Sequence, residues 1–505
     1  MAGGKVLHKT AATGGTLALA LAIGASPAHA DTLQEALTEA YFNNPTLAAA
    51  RAGQRATDET VQVERAAGLP SADANATATE FVRQSEQNRA FTPDRAVNAG
   101  LDLAVPVYSG GAVKNAVRAA EERVEAGRAD LRGTESAIFS QVVAAYMDVL
   151  RGQALVALSL NQVDVLSVNV QATGDRFEIG DLTRTDVAQS EARLALAQGD
   201  LRNAQATLIS ARERYAALVG EAPTDLQPPP PLPGLPDSVN AAVDVALEDN
   251  PDLIAARERA DASRYDISVA GSSRLPRVSV FAGYDYQNFL GSNPDRVLDP
   301  NDPSIPVLVS DQNSAAAQAG VSLRMPLFQG GRPAALQRQA TARANAALEQ
   351  VIAAERDVIA QVRSAYASWQ ASLAIIESSQ SAVSAAELSL EGVRAENSIG
   401  NRTILDVLNA EQELLSARVQ LVTARRNAYV AGFTLLAAMG RAEARDLGLA
   451  DEGVLYDPID NYERVSGRIW DWDSAPAPEA QSTSTSTVPP ATSDIPPIAE
   501  PEDTL

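Results

Sequence analysis

The chain has 505 residues, with 64 Asp+Glu against 41 Lys+Arg, a formal net charge of −23 and no cysteine. Its two histidines, His8 and His29, both precede residue 31, so the rest carries neither imidazole nor thiol. That excludes Cys/His zinc sites, Ser-His-Asp triads, cysteine nucleophiles and disulfides, while the acidity argues against nucleic acid as a partner.

Residues 1–30 combine Lys5 and Lys9, an apolar run from Thr16 to Ala25, and Ala28-His29-Ala30. This is the pattern of a secretory signal peptide, and the apolar run is too short to span a bilayer. Without it the formal charge becomes −25, from 39 Lys+Arg and 64 Asp+Glu. Lys114 is then the only lysine, so a Gly-rich phosphate loop ending in Gly-Lys-Ser/Thr is absent. A carboxylate-only glycosidase is disfavoured by an aromatic content of 5% and by the lack of paired acids in a cleft-like context. The chain reads as a non-enzyme without metal or cofactor.

The remainder reads as one unit written twice, residues 31–220 and 241–440, joined by a proline-rich linker at 221–240. Asn44-Pro45 recurs as Asn250-Pro251 and Leu69-Pro70 as Leu275-Pro276. Val105-Pro106-Val-Tyr-Ser-Gly110-Gly111 recurs as Met325-Pro326-Leu-Phe-Gln-Gly330-Gly331. An insertion between Tyr286 and Gly320, rich in Asn, Asp, Pro and Ser, reads as a loop.

Each unit opens with an Ala- and Arg-rich helix, 43–67 and 249–273, ended by Leu-Pro because the residue before proline leaves the α region. Two stretches of period-two alternation follow. Val97 to Val107 and Val278 to Tyr286 alternate clearly, as do Ala319 to Leu327, whereas 70–82 has only alanines on its apolar side. Strands of about ten residues suit both a tilted membrane strand and a half-buried soluble hairpin. After each Gly-Gly a long helix extends to Glu178 and to Asn397, the first without proline and the second with none after Pro333, a length of about 100 Å at 1.5 Å per residue. Return helices are expected over 186–219 and 406–439.

Between outgoing and return helices stand Ile-Gly180-Asp-Leu-Thr-Arg-Thr185-Asp186 and Ile-Gly400-Asn-Arg402-Thr-Ile-Leu-Asp406. Gly180 and Gly400 suit the residue just past a helix end. Thr183 with Asp186, and Thr403 with Asp406, have capping-box spacing. The two turns differ where Arg402 replaces Leu182, and an arginine there suits charge-assisted hydrogen bonds to Thr185 and Asp186 of an adjacent hairpin. A cap and a gate are both compatible with this pattern.

Four strands cannot close into a barrel, and open edges are not tolerated in hydrocarbon. A membrane reading therefore requires strands pooled between chains, without fixing the copy number.

The doubled strand–strand–long-helix order, the two Pro…Gly-Gly junctions and Gly400-Asn-Arg-Thr-Ile-Leu-Asp-Val-Leu-Asn409 together resemble the TolC family of outer-membrane channel-tunnel proteins, over about residues 31–470. The resemblance implies a mixed α/β membrane protein, a homotrimer with a 12-stranded β-barrel in outer-membrane lipid, four strands per chain, continued by a long α-helical periplasmic barrel. It implies the passive exit duct of a tripartite export system, for type I protein secretion or small-molecule efflux. A periplasmic adaptor (membrane fusion protein) and an inner-membrane transporter would be its partners. It also implies a periplasmic gate in which Arg402 ties to Thr185 and Asp186. Asp406 takes the place of a constricting aspartate ring; Asn409 replaces a second such aspartate and Asn397 a locking tyrosine. The linker and residues 441–473 would form an equatorial belt with Trp470 and Trp472 packed into it. Residues 474–505 are expected to be disordered from their low-complexity composition. The alternative is a soluble periplasmic coiled-coil scaffold.

Overall fold

A computed structural model describes residues 32–85, 88, 92–295, 304, 310–449 and 455–495. The expected signal peptide and the end of the tail, 496–505, lie outside the described residues. Helix α1 (Leu33–Asn43) starts at a capping box of Thr32 and Glu35. Helix α2 (Pro45–Ala66) follows after a break of one residue. Strands β1 (Ser71–Glu80) and β2 (Arg95–Tyr108) lead to α3 (Ala112–Glu178), 67 residues long, and to α4 (Arg184–Val219). The order recurs in α5 (Val239–Asp249), α6 (Pro251–Ser272), β3 (Arg277–Asn288), β4 (Asn313–Arg324), α7 (Arg332–Ser398), again 67 residues, and α8 (Ile404–Ala438). A short α9 (Pro458–Val465) follows.

The helices expected at 43–67 and 249–273 are in fact the second members of helix pairs. Asn44 and Asn250 each take extended backbone before proline, and each side-chain oxygen caps the next helix through two backbone N–H groups. Their amide nitrogens reach across to the ends of the return helices. Asn44 donates to the Leu218 carbonyl and Asn250 to that of Ala438, both at 2.9 Å. One residue type thus ends a helix, starts another and ties the pair to α4 or α8.

The sheet runs β1-β2-β3-β4, all antiparallel, so β2–β3 joins the two halves, and among the described residues β1 and β4 are unpaired edges within the chain. The register assembles one apolar face: Ala74 pairs Leu101, which pairs Tyr284, which pairs Ala317. One step along, Asp73, Asp102, Gly283 and Gln318 share the other face. The alanines of β1, uninformative in isolation, continue the apolar face of β2. Strand β4 begins at Asn313 and ends at Arg324, so Met325 and Leu327, expected to extend its apolar side, lie beyond it. Leu101, Val107, Val321 and Leu323 are all exposed on a single chain.

The bulky core lies at mid-height. Phe139, Tyr146 and Val149 of α3 pack with Leu208 and Tyr215 of α4, Phe433 and Leu436 of α8, and Ala442 and Ala444 beyond it. The linker closes over this level without regular structure. Its prolines donate no N–H, so its carbonyls need outside donors. Three tyrosine hydroxyls provide them: Tyr146 to Gln227, Tyr429 to Pro230 and Tyr366 to Asp237, at 2.6, 3.1 and 3.3 Å.

Two features of the C-terminal region stand beside the expectations for it. Although composition predicts disorder over 474–505, residues 491–495 lie against α4. Arg212, only 8% exposed, donates through Nη1 and Nη2 to the carbonyls of Thr492 and Asp494. The Ala491 N–H donates to Glu213, and Ile495 packs on the core. A buried guanidinium needs acceptors, and an extended proline-containing segment offers carbonyls with no competing helix. Trp470 and Trp472, expected in the belt, are 72% and 84% exposed on the single chain, on a turn closed by the Arg468–Asp473 ion pair.

The belt also contains a carboxyl that its surroundings keep from ionising easily. Burial pushes Glu135 up to about 7; it accepts the Ala444 N–H, with Glu443, Arg51 and Asp446 nearby. Folding then favours the protonated form. This contribution is whole below the unfolded value near 4.5 and is lost as pH rises through about 7, a change on the order of 3 kcal/mol. Melting temperature is therefore expected to fall between about pH 4.5 and 7 and to level off above that. Glu135→Gln should flatten that limb, leaving the share of Glu258, which burial and the neighbouring Glu122 also push to about 7. An unchanged slope in Glu135→Gln would refute the assignment.

Candidate functional site

The residues singled out in the sequence gather at two places, at opposite ends of the 67-residue helices. At one end Pro106 sits where the β2–β3 register shifts, and Pro326 follows β4. Gly110 and Gly111 then start α3 with φ of 65° and 79°, as Gly330 and Gly331 start α7 with 59° and 81°. Gly110 has a further reason to be glycine: a Cβ there would lie 2.7 Å from Leu275 Cβ. These junctions turn the chain from strand to helix.

At the other end lie the two charged turns. Gly180 and Gly400 have φ of 84° and 80°, and the backbone N–H after each reaches back to the carbonyls of Arg176 and Glu396. The next helices begin with matching capping boxes. Asp186 Oδ2 accepts from the Thr183 N–H and hydroxyl at 2.9 and 2.7 Å. Asp406 Oδ2 accepts from those of Thr403 at 3.0 and 2.8 Å. The threonine bonds hold both carboxyls below the usual aspartate range, so both are ionised at neutral pH while remaining partly open to solvent.

Arg402 does not meet Thr185 or Asp186 within one chain. Its Nε donates to Glu396 Oε2 at 2.7 Å, which raises the guanidinium further above its ordinary value. Asn397 donates to the Arg402 carbonyl at 2.8 Å and so braces the same turn. In the first turn Arg176 plays the equivalent part, gripping Asp181. Thr185 has no side-chain partner among the described residues.

Asn409 is engaged across the hairpins rather than alone on its helix face: its Oδ1 accepts from Arg193 of α4 at 2.9 Å. Two residues further, a group passed over in the sequence makes another polar link between the hairpins. Glu411 is 3% exposed. Its two oxygens take the amide of Asn169 on α3 at 3.1 and 3.0 Å, and Arg394 of α7 donates at 3.1 Å. Beside it Leu408 packs on Leu166 and Ala197 of the other hairpin. The signal was present: Val407, Glu411 and Leu414 stand at i, i+4 and i+7, which puts a carboxylate on the apolar stripe of α8. No group of metal-ligating side chains is found among the described residues.

Comparisons with known proteins bear on what such an arrangement serves. The family model described as "Outer membrane efflux protein" matches residues 36–221 and again 242–441. The chain is 32% identical to outer membrane efflux protein BepC of Brucella suis, over 87% of this chain and 91% of that protein. It is 27% identical to outer membrane protein TolC of Vibrio cholerae, over 85% and 95%. Among solved structures, the outer membrane protein VceC from Vibrio cholerae superposes with a TM-score of 0.67 at 25% identity, covering 81% of this chain and 96% of that one.

Proposed function

Since the chain belongs to the outer membrane efflux protein family, we propose that it is the outer-membrane exit duct of a tripartite export system, reaching into the periplasm and working as a passive conduit. Four antiparallel strands with one continuous exposed apolar face and two unpaired edges carry this reading. Such a sheet is stable in lipid only when other copies seal its edges. Three chains give a 12-stranded barrel, with the two halves of each chain acting as duplicated units around one helical tunnel. A soluble scaffold would leave Leu101, Val107, Val321 and Leu323 in water and is set aside. A periplasmic adaptor and an energy-supplying inner-membrane transporter complete the system.

The two charged turns form the periplasmic gate. In a trimer six of them converge, and Arg402, held on its own Glu396 in the lone chain, exchanges to Thr185 and Asp186 of the adjoining hairpin. Three ionised, half-exposed Asp406 carboxylates line the constriction, while Asn409 is neutral and occupied by Arg193. A ring of three negative charges favours cations. Single-channel recordings in planar bilayers are expected to show cation preference that drops sharply in Asp406→Asn, and a higher conductance in Arg402→Ser. Anion preference indifferent to Asp406→Asn would overturn the gate assignment; a monodisperse monomer in detergent would overturn the duct.

A further inference from the structure

A second site of a different kind lies at the level of the linker. A cavity of about 510 Å³ opens between α3, α7 and α8, beneath linker residues Pro228, Pro229 and Leu232. This is the size of a small-molecule pocket. Its walls are apolar and partly flat: Leu150 of α3, Trp369, Leu373 and Ile376 of α7, and Tyr429 of α8. Tyr429 faces it with a hydroxyl already committed to the Pro230 carbonyl.

The charge around this cavity runs against that of the molecule. In a chain of net charge −23, three arginines and no carboxylate line it. Asp148, just outside, forms a two-pronged pair with Arg426, at 2.9 and 3.1 Å, and is a single negative charge shared with Arg151. Arg151 stands 3.9 Å from the same Asp148, and its Nε is buried with no hydrogen-bond partner. Arg425 has no hydrogen bond or ion pair among the described residues. Two cations with unused donors therefore border an apolar chamber. A guanidinium in such a setting recognises a carboxylate or sulfonate through paired hydrogen bonds.

We propose that this cavity binds an aryl carboxylate or sulfonate, its ring system between Trp369, Tyr429 and the linker prolines, and its anionic head on Arg425 and Arg151. The site is separate from the charged turns and does not rest on their assignment as a gate. Binding would brace the linker against α7 and α8.

The test uses the full-length protein in lipid nanodiscs without detergent, with 8-anilinonaphthalene-1-sulfonate as probe and uncharged N-phenyl-1-naphthylamine as control. Saturable binding with energy transfer from tryptophan is expected, lost in Trp369→Phe but kept in the Trp470→Phe/Trp472→Phe double variant. Arg425→Glu should weaken the sulfonate at least tenfold and leave the uncharged control unchanged. Arg425 is without partners, so this variant should keep the wild-type melting temperature, and the milder Arg425→Gln should weaken the sulfonate to a lesser degree. Equal loss of both probes, transfer surviving Trp369→Phe, or no saturable binding because a neighbouring copy fills the chamber would each overturn the proposal.

Discussion

Gly440→Ala is expected to destabilise the protein by about 2–5 kcal/mol, roughly twice the cost of Gly220→Ala. Both glycines follow a return helix, α8 and α4, and both have positive φ, 75° and 100°. Adopting such a φ with a side chain costs about 1–2 kcal/mol at either position. The surroundings then separate them. At Gly220 the nearest atoms to a Cβ are Asn43 Cβ and Thr483 Oγ1, both at 3.6 Å, which is ordinary contact. At Gly440 they are the Asp249 carbonyl oxygen at 2.4 Å, its carbon at 2.6 Å and Asn250 Cα at 3.0 Å. Those are backbone atoms at the α5–α6 joint, and they cannot swing aside. Relief would require moving Asn250, which caps α6 and holds the Ala438 carbonyl, and Asp249, paired with Arg441. Overpacking of this sort adds about 1–3 kcal/mol. Thermal melts of the two variants should differ by many degrees; equal losses would show that the left-handed backbone, not the close approach, sets the cost.

The second large effect concerns Glu411. Arg394→Leu is expected to cost about 3 kcal/mol, because it leaves a nearly buried carboxylate with only the Asn169 amide for compensation. Glu411→Leu should cost much less, since Arg394 is half exposed and can turn to water, and an apolar residue fits between Val407 and Leu414. The double variant Arg394→Leu/Glu411→Leu should recover most of what Arg394→Leu loses. Hydrogen exchange at the tips of the α3–α4 and α7–α8 hairpins reads the same contact locally. Protection should fall in both hairpins with Arg394→Leu, because Glu411 holds one to the other. If the double variant were no better than Arg394→Leu, the cost would lie in lost packing of the arginine stem rather than in a stranded charge.

These two cases mark where the chain is legible and where it is not. The charged turns were readable as caps because a capping box is a matter of three residues, and Thr183–Asp186 and Thr403–Asp406 close as their spacing requires. The partner of Arg402 was not readable: Glu396 lies six residues away around a turn, and the expected partners belong to another hairpin. Asn409 appeared to be one member of a helix-face series, yet its partner is Arg193, on a different helix. Glu411 was visible only as an acid on an apolar stripe, and nothing local named Asn169 or Arg394 as its neighbours. In the tail, composition predicted disorder because the segment has few bulky apolar side chains. What holds it is a demand from elsewhere, the buried Arg212.

The amino-acid order by itself determined the elements: long helices between Gly-Gly and Ile-Gly, strands from alternation, and breaks at Asn-Pro, Leu-Pro and the linker. Each of these depends on allowed backbone angles, capping or side-chain period, which act within a few residues. Only the tertiary structure decided which groups meet. It joined linker carbonyls to three tyrosines, aligned the alanines of β1 with the apolar face of β2, and set one glycine against backbone while leaving its counterpart free. Those outcomes depend on how helices about 100 Å long lie beside one another, a relation between residues hundreds of positions apart that no local pattern encodes.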